Sequence, residues 1–278
     1  MQRLKHPVWQ LVLAAILWSS GGLFIKKVDW HPLAISGGRS LIAGLTILAF
    51  LPRTRISFSP VQIAGALAYT GTVLLFVCAN KMTTAANAIF LQYTAPIYIA
   101  LFGAWLLKEH PSRLDWILIG VMQAGTALFF FGQLSLAGLW GNVLALASGV
   151  SFASMALLLR KQKDGSPASS VLLGNFLTAL IGLPFMLSNP VSKESLLNLA
   201  FLGVFQLGLA YVLYTSAIRQ VRALEATLIS TIEPVLNPIW VALFLDEKPT
   251  GWTLAGGAVV IGAATVRGVV TARNQEAA

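Results

Sequence analysis

Apolar runs of about 18 to 25 residues follow one another along this chain, parted by short polar breaks, and each is long enough to carry a helix through a hydrocarbon core of roughly 30 Å. The runs predict spans at about 7–25, 32–51, 60–79, 84–107, 114–132, 138–159, 168–187, 195–217, 223–245 and 251–270. Only 10% of the residues are charged, against about 25% in a soluble domain, and the mean hydropathy is +0.76. The chain therefore reads as an all-α integral membrane protein with ten transmembrane helices. The first run follows basic residues, as a signal peptide would, but it continues past Trp18 to Ile25 without a small-x-small cleavage site, so it is read as the first helix.

The net charge of +9 does not point to nucleic acid, because the lysines and arginines sit in small groups at the span ends. With the N-terminus in the cytoplasm, thirteen of the nineteen fall on the inside and five on the outside, with Arg39 within a span. The positive-inside rule then places both termini in the cytoplasm. Trp9, Trp30, Trp116, Trp140 and Trp252 lie near span ends, as an interfacial belt requires.

The two halves of the chain resemble each other. Residues 81–111, moved by 138 positions, fall on 219–249 without a gap, and Ala85/Ala223, Ala88/Ala226, Pro96/Pro234, Ala104/Ala242, Leu107/Leu245, Glu109/Glu247 and Pro111/Pro249 coincide. Two five-helix repeats, 1–134 and 135–278, follow from this register. Five is odd, so the second repeat enters the membrane the other way up. Inverted repeats allow two units to rock about a site held between them, which favours a transporter.

Pro96 and Pro234 occupy equivalent places in spans four and nine, and Pro238 follows one turn later. Each proline frees the carbonyl four residues before it, those of Gln92, Ser230 and Pro234, and a carbonyl freed at membrane depth needs another donor, water or a ligand. Polar and aromatic residues share these turns: Gln92, Tyr93 and Tyr98 in span four, Glu233, Asn237 and Trp240 in span nine. Glu233 is either protonated or paired with Arg39, and Arg39 is either glue between helices or the receiver of a substrate carboxylate. Tyr69, Tyr211 and Tyr214 lie in spans three and eight, and Trp18 and Phe152 correspond at a shift of 134 and flank the same region. Spans three, four, eight and nine are thus expected to wall a central cavity. Small-residue clusters at 36–38, 65–68 and 255–258 allow close helix packing. Cys78 stands alone, and His6, His31 and His110 form no ligand cluster, so neither disulfide nor metal nor cofactor is expected. The sequence contains no GxxxxGK, HExxH or GxSxG, which gives no support to ATP hydrolysis or an enzyme of the common hydrolase kinds.

IEPVLNPIWVALFLDEKPTGWTLAGGAVVIGA in the second half, QYTAPIYIALFGAWLLKEHPSRLDWILIG in the first, RSLIAG in span two and LAAILWSSGGLFIKK in span one resemble the drug/metabolite transporter superfamily in its ten-helix branch. Within it, the overall sequence is most similar to bacterial exporters of aromatic amino acids. The resemblance implies a basket-like bundle around a central cavity and export of small metabolites across the inner membrane. An amino acid needs donors for its carboxylate, an acceptor or aromatic face for its ammonium and room for its side chain. Gln92, the tyrosine hydroxyls and Arg39 offer the first; Glu233, the freed carbonyls, Trp18 and Trp240 offer the second. A wide aromatic cavity with broad specificity is expected, in a protein acting as a monomer with membrane lipid and small solutes as partners. Another metabolite, a drug or a quaternary amine is the alternative cargo.

Overall fold

The computed structural model describes residues 6–51, 56–129, 131, 138–188, 190–236 and 250–276. Among them every regular element is helical: α1 Pro7–Ser19, α2 Gly21–Lys27, α3 Pro32–Phe50, α4 Pro60–Met82, α5 Ala85–Gln92, α6 Ala95–Leu107, α7 Arg113–Phe129, α8 Leu139–Lys161, α9 Pro167–Ser188, α10 Lys193–Phe201, a π-helical stretch Leu202–Leu209, α11 Ala210–Ala217, α12 Ala223–Ser230 and α13 Gly251–Glu276. Local chemistry sets several of the starts. Pro7, Pro32 and Pro60 sit in first turns, where a missing N–H is no loss. Ser59, Thr84 and Ser192 accept hydrogen bonds from the backbone of Gln62, Asn87 and Ser195 at 3.3, 3.1 and 3.1 Å.

Eight helices among the described residues are long and apolar enough to cross a membrane, so this is a multi-pass membrane protein. The other two expected spans run beyond the described residues: α7 is described to Phe129 in one, and the other is described only to residue 236. Four spans expected as single helices are interrupted, at Ser20, at Tyr93–Thr94, by the π turns and at Thr231–Ile232. Trp9, Trp116, Trp140 and Trp252 are exposed at helix ends, where the belt was expected.

Helices from the two halves interleave. α4 packs on α8 and α9, α3 on α9 and the π stretch, α7 on α13, and α1 on α11 and α12. The α3/α9 crossing is close enough that only glycine fits: a Cβ on Gly182 would stand 2.6 Å from Gly37 Cα and 2.6 Å from the Leu33 carbonyl. The break before Pro96 pushes the freed Gln92 carbonyl onto α8, where Gly149 makes room for it; a Cβ there would lie 2.9 Å from that oxygen. Near the Lys26/Lys81 end, Thr83 Oγ1 and Asn87 Nδ2 both donate to Asn142 Oδ1 at 2.8 Å, a neutral seam between the halves.

Candidate functional site

One cavity gathers the broken helices. It is lined by Trp18 of α1, Arg39 of α3, Thr72, Val73 and Phe76 of α4, Gln92 and Tyr93 at the α5 break, Phe152 of α8, Gln206 and Leu207 of the π stretch, Tyr211 of α11, and Glu233. Glu233 lies ten residues past Ala223, about 15 Å along a helix and so near the middle of a bilayer. The free space is only about 50 Å³, room for a few waters, and far below the roughly 300–1,000 Å³ of pockets that enclose small ligands. The wide cavity expected from the sequence is therefore not the state seen here; aromatic rings fill it.

The freed Ser230 carbonyl finds its donor in the first half of the chain. Tyr93 Oη stands 3.1 Å from it and 2.5 Å from Glu233 Oε2. A phenol has one proton to give, so both contacts are hydrogen bonds at once when Glu233 holds a proton and donates to Tyr93 while Tyr93 donates to Ser230. Gln92 Nε2 donates to Ser148 Oγ at 2.7 Å. Tyr93→Phe would leave the Ser230 carbonyl and Glu233 without this partner in a buried place, and is expected to cost about 1–3 kcal/mol, read as a lower melting temperature of the detergent-purified protein.

The ion pair weighed for Arg39 and Glu233 does not form. Arg39 Nη1 instead donates to Gln206 Oε1 at 3.1 Å, its Nε has no partner, and no carboxylate pairs with it among the described residues. Three of the five tyrosines also depart from expectation. Tyr69 Oη donates to Asn175 Oδ1 on α9 at 2.9 Å, so its ring backs Tyr211 without lining the cavity. Tyr214 packs on Trp18 with ring centroids 5.1 Å apart. Tyr98 faces a separate apolar groove beside Phe102 and the highly exposed Trp105, because the break at residues 93–94 re-aims the helix that follows. Trp18, Gln92, Tyr93, Phe152, Tyr211 and Glu233 do meet in the cavity. Asn237, Pro238 and Trp240 fall outside the described residues. Gln206, a lone amide in the apolar run FQLGLAYVLY, was missed, although it carries the same signal that drew attention to Gln92.

Two barriers lie on one side of the cavity. Trp18, Tyr69, Tyr211 and Tyr214 form an aromatic plug with centroid distances of 4.9 to 6.1 Å. Beyond it along α1 and α11 opens a cleft of about 620 Å³, lined by Gln10, Phe50, Leu51, Thr215 and Arg219 among others. Beside this cleft an ionic lattice ties helix ends together, and sequence reading did not foresee it. Arg267 bonds to Asp115 at 2.8 Å and to Glu225; Arg222 reaches Glu225 at 2.8 Å and Asp115 at 3.3 Å; Arg160 holds Glu109 at 2.8 Å. Glu109 also accepts from the Ala223 backbone at 3.0 Å. Burial opposes the charge on Arg222, but its hydrogen bond to Glu225 and the charges of Glu225, Asp115 and Glu109 outweigh that, so its pKa lies above the usual arginine value and it stays charged.

A multi-pass helical bundle with a small polar cavity at mid-membrane, shut on one side by aromatic rings and ion pairs, has the form of a solute transporter. The chain belongs to the EamA-like transporter family, whose model matches it twice, over residues 7–131 and 139–267. It is 25% identical to the threonine/homoserine exporter RhtA of Escherichia coli K12, over 98% of this chain and 95% of that protein. It is 27% identical to human solute carrier family 35 member G1, over 90% of this chain and 75% of that one. A solved crystal structure, 21% identical, superposes with a TM-score of 0.80 over 96% of this chain and 98% of the other, which shows a shared fold.

Proposed function

We propose that this protein exports amino acids, aromatic and other neutral ones, across a bacterial inner membrane by alternating access. Its ten helices form two inverted repeats, 1–134 and 135–278; the two separate matches to one family model support that division. The observation that carries the cargo is that a buried guanidinium and a carboxyl group share one cavity. Arg39 and Glu233 both line it, and neither is spent on the other. The carboxylate of an amino acid brings the partner that Arg39 lacks, whereas a quaternary amine leaves the arginine buried and unpaired. The positive-inside count puts the ionic lattice and the cleft in the cytoplasm, so the structure is closed to that side. Aromatic walls without further fixed charges suit several side chains. RhtA, an exporter of two hydroxylated amino acids by its name, supports the class.

The test is counterflow in proteoliposomes holding the purified protein. Labelled phenylalanine and threonine are expected to enter saturably when the same amino acid is loaded inside. Failure of all amino acids while a quaternary amine exchanges would overturn the cargo. Glu233→Gln is expected to retain exchange but lose its acceleration by an imposed pH gradient. An unchanged response would return Glu233 to a packing role.

A further inference from the structure

Arg39 is only 2% exposed, lies within a span, and among the described residues makes one hydrogen bond, to a neutral amide. An isolated buried guanidinium costs several kcal/mol unless an anion meets it, so the chain keeps a cation here whose counter-charge is not among its described residues. The surroundings are built to hold it. The π stretch Leu202–Leu209 lies against α3, and Gly203 is pressed to the backbone of Arg39: a Cβ on that glycine would stand 2.9 Å from the Arg39 carbonyl. Wider π turns change the direction of side chains relative to a continued α-helix, and they occur often at functional sites. Here the stretch delivers Gln206, whose Oε1 fixes one arm of the guanidinium. The amide's other end rests over Gly21, just after the α1/α2 break; a Cβ there would meet Gln206 Nε2 at 2.8 Å.

Resting on the reading of the cavity as an amino-acid site, we infer that Arg39 and Gln206 form a carboxylate subsite. Arg39 takes the carboxylate of the cargo, and Gln206, seated by Gly21 and the π turns, is the positioning residue that keeps the guanidinium fork turned to the cavity. A planar fork with two parallel donors suits a carboxylate better than a point charge would. The subsite makes the carboxylate, and not the side chain, the obligatory part of the cargo.

The test compares each amino acid with its decarboxylated amine as an inhibitor of counterflow: phenylalanine against phenethylamine, threonine against 1-amino-2-propanol. For the unaltered protein the acid is expected to inhibit at least tenfold better than the amine. Gln206→Glu gives Arg39 an internal carboxylate, so the acid is expected to weaken tenfold or more as an inhibitor while the amine holds or improves. Gly21→Ala pushes only the end of the Gln206 side chain, and a several-fold rise in the half-saturating concentration of the acid is expected at unchanged melting temperature. Should Gln206→Glu not fold, Arg39→Lys carries the same test: the charge stays, the fork goes, and the preference for acid over amine shrinks. Equal inhibition by acid and amine in the unaltered protein overturns the inference, as do variants that keep the full preference. If no amino acid exchanges at all, the cargo proposed above has failed instead, and that outcome is recognised by the unaltered protein alone.

Discussion

Arg267→Ala is expected to destabilise the protein by about 3–5 kcal/mol, the usual cost of removing one partner from a buried ion pair. Arg267 is 1% exposed and Asp115 fully buried, so neither finds water when its partner goes. Asp115 keeps Ser112 and the longer contact to Arg222, and Glu225 keeps Arg222, but one guanidinium would then face both acids and Glu109's neighbourhood. The loss should appear as a large drop in the melting temperature of purified protein. Neutralising the acids as well, by Asp115→Asn and Glu225→Gln together with Arg267→Met, is expected to recover most of it, since the cost lies in the orphaned charges. A melting temperature unmoved by Arg267→Ala would show that the lattice is solvated and structurally idle.

Gly182→Val is expected to leave no folded, monodisperse protein. Overpacking a core costs about 1–3 kcal/mol when side chains can yield, but here the obstruction is backbone, Gly37 Cα and the Leu33 carbonyl, and α3 would have to leave α9. That displacement would also carry Arg39, two residues beyond Gly37, away from the cavity. Size-exclusion profiles in detergent read the result. Gly120→Ala is the control: a Cβ there meets nothing within 4 Å, so the protein should fold as before.

The membrane class and eight of the expected spans were legible because bilayer thickness dictates run length, and the proline kinks because a missing N–H leaves a definite carbonyl behind. Ser230 shows this best: its carbonyl was expected to need a donor, and Tyr93 stands there. Side-chain direction was the weak point. A helix in lipid is apolar on both faces, so hydropathy does not tell the interior face from the lipid face, and Tyr98 was placed by neighbourhood alone. Tyr69 was misjudged because nothing in sequence links it to Asn175. The lattice stayed hidden since Asp115, Glu225 and Arg267 look like ordinary interfacial charges until the fold brings residues 152 positions apart together.

The neutral seam at Asn142 and the ionic lattice each join the two halves of the chain, and Asn87 and Glu225 coincide in the register that matches those halves in sequence. Charge-assisted hydrogen bonds are roughly twice as strong as neutral ones, so parting the halves at the seam takes less work than parting them at the lattice. Under the alternating access and orientation proposed above, an idle carrier would then wait facing the medium and turn inward only briefly. Impermeant cargo analogues should accordingly block it at lower concentration from the outer face than from the cytoplasmic face, and reloading, more than release, should set its turnover.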